Sequence, residues 1–510
     1  MDFNSNKDCI SVNAITFQSN AEHSFDCDIT LPEYMPDIVR ILRCSAVAGV
    51  QSHQINGDRI TAECECLVKV LYICNEGKIR CFDQTLHFAK QIELNNADTV
   101  TDINVVAKTD YVNYRVSGER KLQVHGAITV SAKADGKKKC EYVNSASGAG
   151  VTSRCDTEEI CDLVSVVHKS FPVSETVETG SLAEPIGAII SQNAIATIDE
   201  LKVISNKIFL KGDMIVRTAF TGQSTCQVQT IENIISINQI IECPDIHDNC
   251  SVDARLSVAC LEVRGRFDSA GDKNLLDISA TLGFSAFCYA TRQITCIKDA
   301  YSTKYETQVK KNVVYMPALE EKIDDTFLCR GSADLGASGV SKVLCFACQD
   351  TSSTFAVVPD GVVIRGEVVA DIIYENDAGE ISFAQRRIPF EYKRPLQSEN
   401  GVMSCKPHCT ATASSYVLSD NNKLDIRIEI AVCGFVFSEK EKSVIAEIGI
   451  DKSKIKAIKT ASLTVYFAEC NESLWNIAEK YNTTVEAIMR ENHLTGNTTE
   501  KKCKLLIPKV

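Results

Sequence analysis

The chain has 510 residues, of which 45% are hydrophobic and 24% are charged, and its net charge is −13. This length exceeds what one hydrophobic core supports and predicts three or four domains. The acidic balance, 54 Lys and Arg against 67 Asp and Glu, predicts no general attraction to nucleic acid or to anionic lipid.

The amino terminus, "MDFNSNKDCISVNAITF", lacks the positive charge and the long apolar segment of a secretory signal. The longest apolar stretch is about "IAVCGFVF", at 430–437, which is far shorter than the ~20 residues of a membrane-spanning helix. We therefore expect a protein without a transmembrane segment that stays soluble in the compartment where it is made.

The 24 cysteines are about 5% of the residues, below the ~8–10% that marks a disulfide scaffold. We interpret most of them as reduced and buried. Two spacings could hold a metal ion, Cys345 with Cys348 and Cys405 with His408 and Cys409. Each stands without the second pair that a tetrahedral zinc site needs, so no metal site and no cofactor are predicted.

An internal repeat is the most informative feature of the sequence. Six positions recur at one spacing of 302 residues, without a gap. The pairs are Tyr72 with Tyr374, Gly77 with Gly379, Phe88 with Phe390, Tyr114 with Tyr416, Lys121 with Lys423 and Leu122 with Leu424. A middle copy lies 148 residues after the first, where Ala194 matches Ala46 and Ile208 matches Ile60. The spacings predict three domains of roughly 150 residues each.

Each copy opens with three apolar residues at positions i, i+3 and i+4. The triads are Ile38, Ile41 and Leu42; Ile186, Ile189 and Ile190; and Val340, Val343 and Leu344. This spacing is typical of one face of a helix, so we expect a short helix in each copy.

Elsewhere in the copies the hydrophobic period is two. Apolar residues alternate with polar ones over 60–72 and over 424–430, as in strands with one exposed face. Gly77 and Gly379 sit in "NEG" and "DAG" sequences that predict hairpin turns with positive φ. The predicted fold is mainly β: three repeated antiparallel domains, each a sandwich or open barrel with a short helix.

The last fifty residues change period. A lysine-rich polar stretch, 451–462, predicts a linker, and the segment after it predicts the order β-α-α-β. Ser473 or Glu472 can cap the first helix, and Thr483 with Glu486 has capping-box spacing for the second. The predicted boundaries are 1–145, 146–300 and 301–450 for the β domains, 451–462 for the linker and 463–510 for the small α+β tail.

The tail resembles a LysM module through "SLWNIAEKY", "TTVEAIMRENHL" and the final "LLIP". The resemblance implies a site for N-acetylglucosamine-containing glycans in two loops. The matching residues are Asn471, Glu472, Ser473 and Leu474 in the first loop and Asn492, His493 and Leu494 in the second. The first loop departs from the Pro-Gly-Asp-Thr of the family, which favours a protein partner over a glycan. Trp475, the only tryptophan, is interpreted as a packing anchor rather than a sugar platform.

The repeats resemble SPOCS domains, and three of them followed by LysM is the architecture of SipL-type spore-coat morphogenetic proteins. The resemblance includes "LPEYMPDIVRIL", in which Tyr34, Met35 and Arg40 are either a docking element or part of a packed turn fixed by two prolines. It implies a protein of the mother-cell cytoplasm that is recruited to the forespore and spore-coat surface. The partners implied are a coat-basement morphogenetic ATPase and other coat proteins.

No phosphate loop, H-E-x-x-H motif or G-x-S-x-G motif is present. The absence of these motifs predicts a non-enzymatic protein, and the resemblance implies a scaffold or adaptor of spore-coat assembly that docks through its tail. The alternative is a protein that binds peptidoglycan or a related glycan.

Overall fold

The structure, a computed structural model, describes residues 3–94, 103–180, 183–336, 339–396, 402–419, 423–456 and 463–509. Strands dominate these ranges, and the two helices within them both lie in the carboxy-terminal tail. The prediction of a mainly β fold with a small α+β tail is confirmed.

The first unit consists of six strands. They are β1 (Asn4–Thr30), β2 (Ile38–Asn56), β3 (Arg59–Cys74), β4 (Ile79–Glu93), β5 (Asn104–Gly118) and β6 (Lys121–Ser147). Strands β2, β3 and β4 form an antiparallel meander, while the second sheet has the order β1-β6-β5. The chain thus forms β1 of one sheet, then all three strands of the other sheet, and finally β5 and β6, which complete the sheet that contains β1.

The second and third units repeat this path. The second contains β7 (Val151–Glu178), β8 (Ile186–Ile204), β9 (Lys207–Gly222), β10 (Val228–Glu242), β11 (Ser251–Arg266) and β12 (Leu275–Ser302). The third contains β13 (Tyr305–Asp334), β14 (Lys342–Val358), β15 (Gly361–Glu375), β16 (Ile381–Pro395), β17 (Val402–Cys405), β18 (His408–Leu418) and β19 (Lys423–Ile455). Their sheets have the orders β10-β9-β8 and β11-β12-β7, then β14-β15-β16 and β13-β19-β17, with β18 also paired to β19.

Each unit buries an apolar core that draws on both of its sheets. The alternation predicted over 60–72 is present in β3, where every second side chain is buried. Gly77 and Gly379 have φ of 72° and 77° at the tips of the β3–β4 and β15–β16 hairpins, as their sequences predict. The alternation of apolar and polar residues therefore specifies these strands, and the glycines specify the turns between them.

The prediction of a short helix in each copy is wrong. The triad Ile38, Ile41 and Leu42 lies on strand β2, whose pairing with β3 skips residues 39 and 42. Each β-bulge adds one residue to the strand, so a spacing of three returns to the same face. Ile38 and Ile41 consequently pack into the core of the first unit, whereas Leu42 packs on its other side. Related bulges occur at the start of β8 and β14.

The third residue of every triad lies where the three units meet. Leu42, Ile190 and Leu344 belong to one apolar cluster, together with the equivalent residues Leu71, Ala219 and Ile373 of the three middle strands. We call this the meander junction. Beside it, the Arg43 guanidinium of the first unit lies 2.6 Å from the buried Asp371 carboxylate of the third.

The long strands β6, β12 and β19 form a second meeting point of the units. Val143, Ile297 and Ile445 are equivalent positions on these strands, and all three are fully buried in one cluster. An adjoining cluster takes residues from all six long strands, β1, β6, β7, β12, β13 and β19. We call these two clusters the long-strand junction. Each unit therefore contacts both of the others.

The tail contains β20 (Leu463–Ala468), α1 (Leu474–Tyr481), α2 (Val485–Asn492) and β21 (Cys503–Pro508), which confirms the predicted β-α-α-β order. Strands β20 and β21 pair antiparallel, and the helices pack on one face of the pair. Strand β19 continues to Ile455, within the segment predicted as a linker, and residues 457–462 lie outside the described residues.

Substitution at the long-strand junction should destabilise the whole body. Ile445→Ala removes a fully buried side chain, so we expect a loss of about 2–5 kcal/mol in the free energy of unfolding. Ile240→Ala, at a site on β10 that is 61% exposed, is the matched control and should cost less than about 0.5 kcal/mol. Urea unfolding followed by circular dichroism measures both, and equal losses would contradict a structural role for the junction.

Candidate functional site

Helices α1 and α2 orient the residues that the LysM resemblance assigns to binding. Ser473 is the N-cap of α1, although its side chain makes no capping bond. The N-cap of α2 is Thr484, whose hydroxyl accepts a hydrogen bond from the Ala487 amide at 3.1 Å. The prediction of a cap at Thr483 is therefore wrong by one residue. Thr483 is fully buried and instead donates its hydroxyl to the Pro508 carbonyl at 2.8 Å, because a buried hydroxyl needs a partner.

The first loop is fixed by its own hydrogen bonds. Asn471 adopts φ of 60°, a left-handed conformation that asparagine tolerates. The Glu472 carboxylate accepts hydrogen bonds from the Tyr466 hydroxyl at 2.6 Å and from the Glu469 amide at 3.0 Å. The bond to Glu472 raises the pKa of Tyr466 to about 12. Glu472 thus stabilises the loop from which a ligand would be contacted.

The residues predicted in the second loop differ in availability. The Asn492 amide donates to the carbonyls of Ile488 and Leu506 and accepts from the Leu506 amide at 2.7 Å, so it joins α2 to β21. His493 is exposed at the C-cap of α2 with φ of 53°. Leu494 is half-buried against the tail core.

The first loop is bonded to a segment that the sequence analysis did not single out. The amide of Asn471 donates to the Thr499 carbonyl at 2.7 Å, and that of Leu474 donates to the Asn497 carbonyl at 3.0 Å. Leu474 itself is fully buried, so its side chain is unavailable to a ligand. The exposed members of the predicted site are Asn471 and His493, with Glu472 and Ser473 half-buried.

Trp475 lies at the contact between the tail and the second β unit. Its side chain is 8% exposed, and its indole N–H donates to the Asp299 carboxylate at 3.1 Å. The Tyr301 ring meets the indole edge to face, with centroids 4.8 Å apart. The Tyr301 hydroxyl donates to the Thr483 carbonyl at 2.8 Å, which fastens the tail at a second point.

Sequence reasoning did not find Asp299 and Tyr301. They stand at the end of β12, more than 170 residues before Trp475, and no motif connects them. A contact of this kind depends on the path of the chain in three dimensions. The only local indication is a tyrosine, Tyr301, at the end of a long strand. Its position in the sequence does not reveal that it contacts Trp475.

The Cys405, His408 and Cys409 group has none of the properties of a reactive centre. Burial raises the pKa of Cys405 to about 12 and also raises that of Cys409. Burial and the Arg255 charge lower the pKa of His408 to about 4. Near neutral pH the group holds two thiols and a neutral imidazole, so no nucleophilic thiolate is formed.

The fold also places the other two candidate metal ligands, Cys345 and Cys348, in different clusters. Cys345 lies in the meander junction and Cys348 in the core of the third unit. Among the described residues, no group of three or more His, Cys, Asp or Glu side chains is arranged to hold a metal ion.

In the "LPEYMPDIVRIL" element, Tyr34, Met35 and Arg40 lie in three different environments. Tyr34 is 86% exposed, whereas Met35 packs against the core of the first unit. Arg120 holds the turn by donating to the Met35 carbonyl at 2.9 Å and to the Asp37 carboxylate at 2.6 Å. Arg40 donates to the Ile381 carbonyl of the third unit, so it serves the contact between units.

Comparison with protein families identifies two parts of the chain. The family model described as SipL, SPOCS domain matches residues 37–117, which span β2 to β5, and the model described as LysM domain matches residues 471–498. No match to the chain was found among curated proteins or among solved structures. SPOCS and LysM domains are of binding or scaffold type, and the SipL family points to sporulation and association with the spore coat. Neither described helix is long and apolar enough to cross a membrane.

Loss of the Tyr301 ring should expose the indole. Since Trp475 is the only tryptophan, its fluorescence reports the tail contact without interference. Tyr301→Ala should shift the emission to longer wavelength and increase quenching by acrylamide, because the indole loses a packed ring. Tyr315→Ala, at a site on β13 that is 54% exposed, should leave both unchanged. Unchanged emission in Tyr301→Ala would show that the contact does not cover the indole.

The buried imidazole predicts an acid-sensitive fold. The pKa of His408 is about 4 in the folded protein and 6.5 when unperturbed, so the unfolded chain binds the proton more tightly. This contribution to stability is complete above pH 6.5 and is lost as the pH falls toward 4. The loss is on the order of 3 kcal/mol. His408→Asn should reduce the difference between urea midpoints at pH 7 and pH 4.5, and an unchanged difference would contradict the assignment.

Proposed function

We propose that this protein is a non-enzymatic scaffold of spore-coat assembly whose LysM tail docks to a coat-basement morphogenetic ATPase. In this proposal the second and third units are SPOCS-like domains, equivalent to the first. The protein acts in the mother-cell cytoplasm and is recruited to the forespore surface, where it also contacts other coat proteins.

The observation that carries the proposal is the combination of a SipL-type SPOCS match and a LysM match in one chain. The three units share one strand order and are joined through two apolar junctions. Such a body offers several faces in a fixed arrangement. Weak contacts to a polymeric partner then add through effective concentration.

The first loop of the tail supports a protein partner over a sugar. Glu472 stands where the LysM family usually has aspartate, and its carboxylate is held by Tyr466 and the Glu469 amide. Asn471 stands where the family usually has glycine. A side chain at this position restricts the approach of a glycan to the backbone. The exposed Asn471 and His493 remain available for contact with a partner.

Peptidoglycan binding through the same loops is the second candidate. The LysM match favours it, since these modules commonly recognise N-acetylglucosamine-containing glycans. Glycan binding would take place where the tail contacts cell-wall material. The two candidate functions therefore predict different ligands for the same exposed residues.

A capture experiment distinguishes the two candidates. The full chain and a chain ending at Lys456 are used to capture proteins from sporulating cells, with identification by mass spectrometry. The end point is Lys456 because β19 runs to Ile455 and Lys456 donates to the Ser302 carbonyl at 2.9 Å. We expect the full chain alone to retain the ATPase.

A double variant, Asn471→Ala with His493→Ala, tests the loops without removing core residues. We expect ATPase capture to fall about tenfold, as for the loss of one or two interface anchors. Asn476→Ala with Glu479→Ala, at exposed sites on α1, is the matched control and should retain capture. Retention by the chain ending at Lys456 would assign docking to the β units. Sedimentation of the full chain with purified peptidoglycan, in the absence of ATPase capture, would favour the second candidate.

A further inference from the structure

A cavity of about 320 Å³ lies between the second and third units. Its floor is formed by side chains that are nearly or fully buried, including Leu163, Phe287 and Phe435. Its mouth carries the exposed Ser404 and Lys406. Protein interiors rarely leave a void much larger than a water molecule, whereas small-molecule sites commonly begin near 300 Å³ and often lie between domains. The cavity therefore has the size and position of a ligand site.

Four aromatic rings line the cavity. Phe287 and Tyr289 come from β12, and Phe435 and Phe437 occupy the equivalent positions of β19, 148 residues later. Tyr289 lies 4.7 Å from Phe437 and 5.9 Å from Phe435 between ring centroids, in tilted arrangements. These rings pack in one apolar cluster that borders the cavity.

The aromatic character is specific to this pair of units. At the spacing of 302 residues that relates the first unit to the third, the first unit has Lys133 and Asp135 at the positions of Phe435 and Phe437. If the repeated fold itself required aromatic residues at these positions, all three units would have them. The aromatic residues thus belong to the junction of the second and third units and not to the strand architecture.

One lysine and two carboxylates line the cavity, Lys406, Asp253 and Glu439. Lys406 of the chain itself places its ammonium 5.3 Å from the centroid of the Phe287 ring, so an aromatic face here already attracts a cation. The buried Asp253 carboxylate is paired with Arg255 at 3.2 Å. The half-buried Glu439 carboxylate at the cavity has no ion-pair partner within the described residues.

From these observations we infer that the cavity binds a small organic cation, an ammonium group attached to an apolar body of about one aromatic ring. The ammonium group lies against the aromatic faces with Glu439 as its counter-charge, and the apolar body fills the floor beside Leu163. Aromatic cages recognise quaternary ammonium groups in this way because the negative ring faces attract the cation electrostatically. The ligand bridges the second and third units.

Isothermal titration calorimetry of the full chain with benzyltrimethylammonium tests the inference. Benzyl alcohol and benzoate share the ring and replace the cation by a neutral group and an anion. We expect saturable binding of the cation and binding at least about tenfold weaker for both analogues. Absence of saturable binding, or benzoate binding as tight as that of the cation, would overturn the inference.

Two variants locate the binding in the cavity. Glu439→Gln keeps the shape of the side chain and removes its charge, and Phe437→Leu removes one ring. Each should weaken binding of benzyltrimethylammonium about tenfold. Glu447→Gln, at an exposed site on the same strand β19, is the matched control and should bind normally. Because Glu439→Gln preserves packing, normal binding by this variant would refute the proposed counter-charge even if Phe437→Leu proved unstable.

Discussion

Burial of apolar side chains between the three β units is the interaction on which the rest of the structure depends. At both junctions the contacts are made by equivalent residues, such as Leu71, Ala219 and Ile373 in the meander junction. Packing of the units against one another removes these side chains from water, at a gain of ~25 cal/mol per Å² of apolar surface. At the meander junction, the ion pair between Arg43 and Asp371 accompanies this packing and breaks its threefold equivalence. The units form one assembled body through these contacts.

Strand β12 connects the main features of that body. It begins in the core of the second unit, lines the aromatic cavity with Phe287 and Tyr289, enters the long-strand junction at Ile297 and ends at Tyr301 beneath the tail. A strand of 28 residues extends well past the usual length, so neighbouring features share one continuous hydrogen-bonded element. The position of the LysM tail is consequently coupled to the packing of the units.

Trp475 has two structural roles, one inside the tail and one in its attachment to the second unit. In a small domain, an indole mainly supplies buried apolar area. Here the same ring also contacts Tyr301 and donates to Asp299, so Trp475 belongs both to the tail core and to its attachment. Because the tail is attached in this way, the exposed loop residues Asn471 and His493 have a fixed orientation relative to the β units. If the tail docks to a polymeric partner as proposed, this fixed orientation reduces the entropy that is lost on binding.

The sequence by itself determined the strands, the turns and the β-α-α-β tail, because alternation, positive-φ glycines and helical periodicity are local properties. It also indicated the spacing of equivalent residues, from which the matched positions in the junctions follow. Only the tertiary structure decided what the apolar triads do. Bulges on β2, β8 and β14 give a strand the spacing of a helix, and the third residue of each triad finds its partners in the other two units. The same holds for Trp475 and for the aromatic cavity, whose partners lie more than a hundred residues apart and meet only through packing of the units.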